Sequence, residues 1–282
     1  MKKIVVLIMF LFFLILKSKA QYSEETPHYA PVDKYTVLDS AYLKCTYKLT
    51  YIKDTLHKTN ISSDIQTLQI GSNISKYFSQ YVLEFNKKYE QLKNEGGNKF
   101  PRSTEYGSCS YEVFKNYPKG KFTVTDFGIN LIMSNIHEEL IPELKWNIKM
   151  EFDTVLSYRC QKATTRFRGR NYEAWFTSDI PIGNGPWKLG GLPGLILKVS
   201  DQQHYYNFDC IGLEKLNKKE PIKFYQLDYR HIERKDLNKL YFRLNNEPVL
   251  FAKMLGKTLV IIDDDGREGT DAKFPYNPIE HE

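Results

Sequence analysis

Asp201 and His204 stand on one predicted hairpin turn, where a carboxylate and an imidazole could share a proton as an acid–base pair. No Ser or Cys in a nucleophile motif accompanies them, and His28, His57, His137, His231 and His281 are scattered. A hydrolase of unrecognised type would need polar residues converging on this part of the chain, with Asp201, His204 or Arg170 among them. Glycines offer a second chemistry. Gly185 and Gly190 have the spacing of a phosphate-binding P-loop, but Gly191-Leu192 stands where Lys and Ser or Thr must reach phosphate and magnesium. Gly183 and Gly185 lack the third glycine of a dinucleotide fingerprint, and no helix pattern follows them. Asp263-Asp264-Asp265-Gly266 lacks the alternating ligands and terminal glutamate of an EF-hand and reads as a solvated turn. Neither a cofactor nor a metal is expected.

Aromatic and sulfur chemistry remain. Trp146, Trp175 and Trp187, with Tyr172 nearby, have the flat faces and polar edges that stack on sugars or peptides, and equally the bulk that fills a core. Trp175, Trp187, Gly191, Leu192, Pro193 and Gly194 are the candidate binding residues of a loop rim. Cys45, Cys109, Cys160 and Cys210 share strand phase with Leu43 and Tyr47, Tyr111 and Val113, Leu156 and Tyr158, and Tyr206 and Phe208 respectively. All four are therefore expected on the apolar side, and in an exported chain they are expected to form disulfides, with three pairings open. No CxxC pair exists, and no histidine stands near a cysteine at ligand spacing, so zinc is excluded.

The element that must position these groups is a loop. Between Pro181 and Gly194, eight of fourteen residues are glycine or proline, which dictates the backbone path. Strand-like runs flank it at Tyr172 to Thr177 and Leu195 to Ser200. Upstream, Ala41 to Lys53 alternates with period two, and Asp64 to Ile70 and Ile74 to Phe78 read as a hairpin around Gly71-Ser72-Asn73. Ser79 is a predicted N-cap for a helix to Asn94. Ser110 to Asn116 and Lys121 to Phe127 flank a Tyr117-Pro118-Lys119-Gly120 turn. Leu144 to Glu151 and Asp153 to Thr165 form another pair, Tyr205 to Leu213 and Ile222 to Tyr225 two further strands, and Lys235 to Asn246 a second helix. Many strands on short turns with few helices predict a mainly β (α+β) fold built on an antiparallel sheet. The expected shape, a curved sheet, bowl or half-barrel-like, with one or two packing helices covering an opening, rests partly on the resemblance that follows.

Gly191-Leu192-Pro193-Gly194-Leu195-Ile196, preceded by Ala174-Trp175-Phe176-Thr177 and Ile180-Pro181-Ile182, resembles the GLPGLI family of exported bacterial proteins, whose biochemical role is unassigned. Arg166-Phe167-Arg168-Gly169-Arg170, Cys160-Gln161-Lys162-Ala163 and Asn277-Pro278-Ile279-Glu280 also look like family sequence. The family is in turn similar to the bowl-shaped amino-terminal domain of a bacterial peptide-N-glycosidase F. That resemblance implies a β-rich accessory module and supplies no catalytic residues.

Residues 1–20 read as a cleavable export signal: Lys2 and Lys3, an apolar run from Ile4 to Leu16, then Ser18-Lys19-Ala20. The apolar run is too short for a stable span, and the expected mature start, Gln21, is not a lipoprotein cysteine. No transmembrane segment is expected after cleavage. Loss of four signal lysines takes the net charge from +6 to +2, which gives no concentrated positive field for nucleic acid. Residues 21–255 read as a single β-rich domain and 256–282 as an extended C-terminal tail. The expected role is a periplasmic or secreted binding or accessory module that presents a concave β surface to a small ligand or an envelope partner, the ligand being lipid, peptide or glycan. The alternatives are an enzyme without a recognised motif and an assembly partner of an outer-membrane system.

Overall fold

Strict alternation of apolar and polar residues builds the first strand, β1 (Tyr35–Ile52), which buries Leu43, Cys45, Tyr47, Leu49 and Tyr51 on one face. The computed structural model describes residues 30–96, 110–127, 134–256, 261–262, 268–269 and 273–281. The export signal, Cys109 and the Asp263–Gly266 turn lie outside the described residues. β2 (Ile61–Ile70) and β3 (Ser75–Ser79) form the expected hairpin. Ser79 then caps α1 (Gln80–Asn94): its hydroxyl accepts from the Val82 amide at 3.2 Å and donates to Asp64 at 2.9 Å. β4 (Tyr111–Lys115), β5 (Lys121–Asp126), β6 (Asn135–Leu140), β7 (Asn147–Val155), β8 (Tyr158–Phe167) and β9 (Arg170–Thr177) follow. After the glycine-rich loop come β10 (Leu195–Asp201), β11 (Tyr206–Tyr225), β12 (Arg230–His231), α2 (Arg234–Asn246) and α3 (Pro248–Met254). A short ribbon pairs β13 (Ile261–Ile262) with β14 (Glu268–Gly269).

The twelve strands form one open curved sheet in the order β12-β6-β5-β4-β3-β2-β1-β11-β10-β9-β8-β7, antiparallel except for the β12–β6 pair. The fold is therefore mainly β, with three helices among the described residues. Its inner face carries the principal core, which draws on β1, β2, β4, β8, β9, β10 and the glycine-rich loop. α1 packs on the other face, against β2 and β3, where Val82 joins Ala30 and Phe127 in a separate cluster. It thus covers the back of the bowl rather than an opening.

Two local readings change, and one helix is added. The β7–β8 turn is Leu156-Ser157, at φ 48° and 68°, not Phe152; two left-handed residues make a tight hairpin, but neither is the glycine or asparagine that would mark it in a sequence. β11 is continuous where two strands were expected: Glu214, Lys215 and Glu220 pair with β1, residues 216–219 between them break the register, and the stretch is largely exposed and shows no alternation. α3, which was not among the expected helices, begins with Pro248 at its first turn, where a missing N–H costs nothing.

Candidate functional site

The loop between β9 and β10 folds inward and fills the bowl. An isolated bridge joins Asn184 to Gly190, and the Gly191, Leu195 and Ile196 amides donate to Gly183, Ile180 and Asn184 carbonyls, each at 3.0 Å. Gly194 is required by contact: a Cβ there would lie 2.1 Å from the Thr177 carbonyl oxygen. Gly191 is required by conformation, with φ at 83°. Trp187, itself at φ 50°, is 1% exposed and packs between Phe167 and Tyr172, with ring centroids 5.4 and 6.3 Å away. Leu189, Leu192 and Ile196 are buried beside it, and the Tyr47 hydroxyl donates to the Ile196 carbonyl at 2.6 Å.

These positions rearrange the expected rim. Trp187, Leu192 and Gly194 are interior, whereas Gly191 and Pro193 face solvent. Trp175 pairs with Lys162 and Lys198 across the ladder, one step out of phase with Tyr172, so it lies on the opposite face of the sheet from Trp187. Trp146 donates its indole N–H to the Gly190 carbonyl at 2.9 Å and pins the loop. The tryptophans form no common stacking surface.

Lys115, at the end of β4, fastens the loop from the far half of the sheet. Its ammonium donates to Asn184 Oδ1 (2.9 Å) and to the Gly185 and Leu189 carbonyls (2.7 and 2.8 Å). Burial pulls its pKa down to about 7. Asn184 also donates to the Ser75 hydroxyl of β3 at 2.7 Å. Cys45, Cys160 and Cys210 are buried free thiols, which corrects the expected disulfides for the three cysteines described. Burial pushes the Cys160 and Cys210 thiols up to about 11 and Cys45 higher still, so they behave as apolar packing groups rather than nucleophiles.

Asp201 and His204 share the turn, the His204 amide donating to the Asp201 carbonyl at 2.9 Å, but their side chains do not form an acid–base pair. Asp201 is fully buried and accepts from Arg170 Nη1 at 2.6 Å and from the Tyr206 amide at 2.9 Å. The His204 ring is exposed and faces Asn207 at 3.3 Å. Arg170 is instead the centre of a junction with the tail. It donates to Asn277 Oδ1 (2.6 Å), the Pro278 carbonyl (2.5 Å) and the Ile279 carbonyl (3.2 Å). Asn277 further donates to the Ile52 carbonyl at 2.7 Å, and its own carbonyl accepts from the Tyr206 hydroxyl at 2.5 Å.

Beside this junction lies a cluster of five charges from five parts of the chain. Lys188 of the loop contacts Glu139 of β6 at 2.6 Å and Glu280 of the tail at 2.5 Å. Arg234 of α2 meets the same two carboxylates at 3.3 and 2.8 Å. Arg168, in the β8–β9 turn, bonds Glu139 and lies 3.8 Å from Glu280. The surrounding cations hold the Glu280 carboxyl below its ordinary range despite burial. His137, 7% exposed, sits among these groups with neither ring nitrogen hydrogen-bonded. Burial first, then Lys188 and Arg234, depress its pKa to about 4, so the imidazole is neutral.

The arrangement binds the halves of the sheet together: β6 and the β8–β9 turn lie eight places apart in strand order, yet they meet through Glu139 and Arg168. Every acid in it is ion-paired. No group of three or more His, Cys, Asp or Glu suited to a metal occurs among the described residues.

Residues 105–237 are similar to the family described as N-glycanase peptide, N-terminal domain. Two solved structures of PNGF-II, in C2 and P21 crystals, are similar at 15% and 14% identity, with a TM-score of 0.44 each. The matches cover 72% and 73% of this chain and 33% and 34% of theirs, so the chain spans about a third of their length. Comparison with curated proteins finds no match.

Sequence reasoning missed Lys115, Glu139, Lys188 and Arg234. A signal did exist for the junction: Arg166–Arg170 and Asn277–Glu280 are among the segments that carry the GLPGLI resemblance, and the structure places them against each other.

Proposed function

We propose that this chain is an exported envelope protein of the GLPGLI type, acting as a non-catalytic binding or accessory module toward glycosylated protein. The observation that carries this reading is the filled bowl: the loop occupies the inner face, and Asp201, Glu139 and Glu280 are each bound to cations there. A carrier needs an interior with room for its cargo, so the lipid-shuttling version loses its support. A hydrolase needs an acid or base free to meet substrate, and Asp201, Glu139 and Glu280 are each held in ion pairs. The glycan setting comes from the similarity of residues 105–237 to an N-glycanase N-terminal domain.

Recognition then falls to the outer face, where half-buried Trp175 lies beneath the Lys162 ammonium, 5.6 Å from the ring centroid. No helix among the described residues is long and apolar enough to cross a membrane. The test is to incubate residues 21–282 with an N-glycosylated protein and with its deglycosylated form, measuring binding by interferometry and glycan release by mass spectrometry. Glycan-dependent binding without release, weakened at least fivefold by Trp175→Ala, is expected. Glycan release abolished by Asp201→Asn would overturn the reading in favour of an enzyme.

A further inference from the structure

We propose that Arg168, Arg170, Lys188 and Arg234 form a peptide-recognition socket whose resident ligand is the chain's own Asn277-Pro278-Ile279-Glu280. A second copy of this chain supplies the exchangeable form of that ligand.

The tail is held as a bound peptide is held. Its anchors are side chains and carbonyls of the sheet and loop, distant in sequence, rather than its own neighbours. Asn277 is engaged at its side-chain oxygen, its side-chain nitrogen and its backbone carbonyl. Pro278 has no N–H to satisfy, and its carbonyl is taken by Arg170. Ile279 packs on the principal core, and the His281 amide donates to the Arg168 carbonyl at 3.0 Å. Glu280 places its carboxylate between Lys188 and Arg234. Extended segments anchored by main-chain bonds and alternate side chains are a recurring mode of peptide capture.

Charge explains why a vacated socket would take another acidic peptide. Without Glu280, Lys188, Arg168 and Arg234 share the single carboxylate of Glu139, while Arg170 keeps Asp201 but loses its three acceptors in the tail. The Lys188 side chain is 3% exposed, and a buried cation left with only a shared counter-ion is disfavoured. The ligand class is therefore a short peptide with asparagine, proline, an aliphatic residue and glutamate in that order. The one source the sequence itself supplies is the tail of another copy.

The experiment uses the full chain carrying Asn277→Ala and Glu280→Gln together, which weakens the resident tail in place, and a fluorescent peptide of residues 273–282. Fluorescence anisotropy is expected to show saturable binding to the double variant. Binding to the unaltered chain, whose tail competes, should be at least tenfold weaker, and a peptide carrying the same two exchanges should not bind. If the double variant does not fold, Glu280→Gln alone must still bind the peptide more tightly than the unaltered chain. Absence of binding while hydrogen exchange shows the His281 amide released would overturn the socket, as would equal binding of the altered peptide. Mixing the double variant with unaltered chain should give a 1:1 pair at high concentration in sedimentation. Peptide binding without such a pair would overturn the second copy as the source.

Discussion

Glycine 194 shows how far one residue decides the site. Its α-carbon passes so close to the Thr177 carbonyl that a methyl group would overlap backbone, which cannot swing aside as a side chain can. Gly194→Ala is expected to lower stability by about 3 kcal/mol in urea unfolding, well beyond an ordinary surface exchange. A loss below about 1 kcal/mol would mean that the loop is free to move. The cysteines make a second residue-scale case. Strand phase correctly sends Cys45, Cys160 and Cys210 to the interior, but phase says nothing about which strands are neighbours or how far apart the sulfurs lie. Iodoacetamide is expected to leave these three thiols unmodified in the native protein and to label them in guanidinium without prior reduction. Labelling that requires reductant would restore the disulfides.

Elements with a period or a cap were legible. β1 alternates, Ser79 precedes a helical stripe, and the glycine-rich loop is bracketed by strands, and all three stand where the pattern puts them. Elements defined by partners were not. β6 carries Glu139, which meets Lys188 and Arg234 across the bowl, and β11 runs through a charged stretch that meets β1 only at Glu214, Lys215 and Glu220. The docked tail belongs to this group too, because its segment has no period and its anchors lie between 46 and 225 residues away. Its charge cluster has a pH signature. The folded protein holds His137 neutral to about pH 4, whereas an unfolded chain takes up that proton near 6.5. The contribution is whole above pH 6.5 and is lost as pH falls toward 4. Glu280, with its pKa lowered by Lys188, acts in the same direction at the acidic end. His137→Phe is therefore expected to lose less stability between pH 6.5 and 4.5 than the unaltered chain in thermal unfolding; parallel pH profiles would contradict it.

At the scale of the molecule, the bowl is a twelve-strand sheet whose ends are tied by a plug instead of by pairing. β7 remains an unpaired edge, with Met150 85% exposed, while the loop, Lys115 and the tail carry the closure across the inner face. Mainly β character could be read from many strands on tight turns, and curvature in part from the resemblance to a bowl-shaped domain; the plug could not, because a glycine-rich rim and a glycine-rich plug have the same composition. The most direct test is native-state hydrogen exchange at the Leu189, Gly191, Leu195 and Ile196 amides, bonded to Pro186, Gly183, Ile180 and Asn184. A fixed plug predicts that they exchange only with global unfolding, at the same free energy as β1 and β11. Exchange of the loop amides orders of magnitude faster than those strands would show an open bowl and contradict the account.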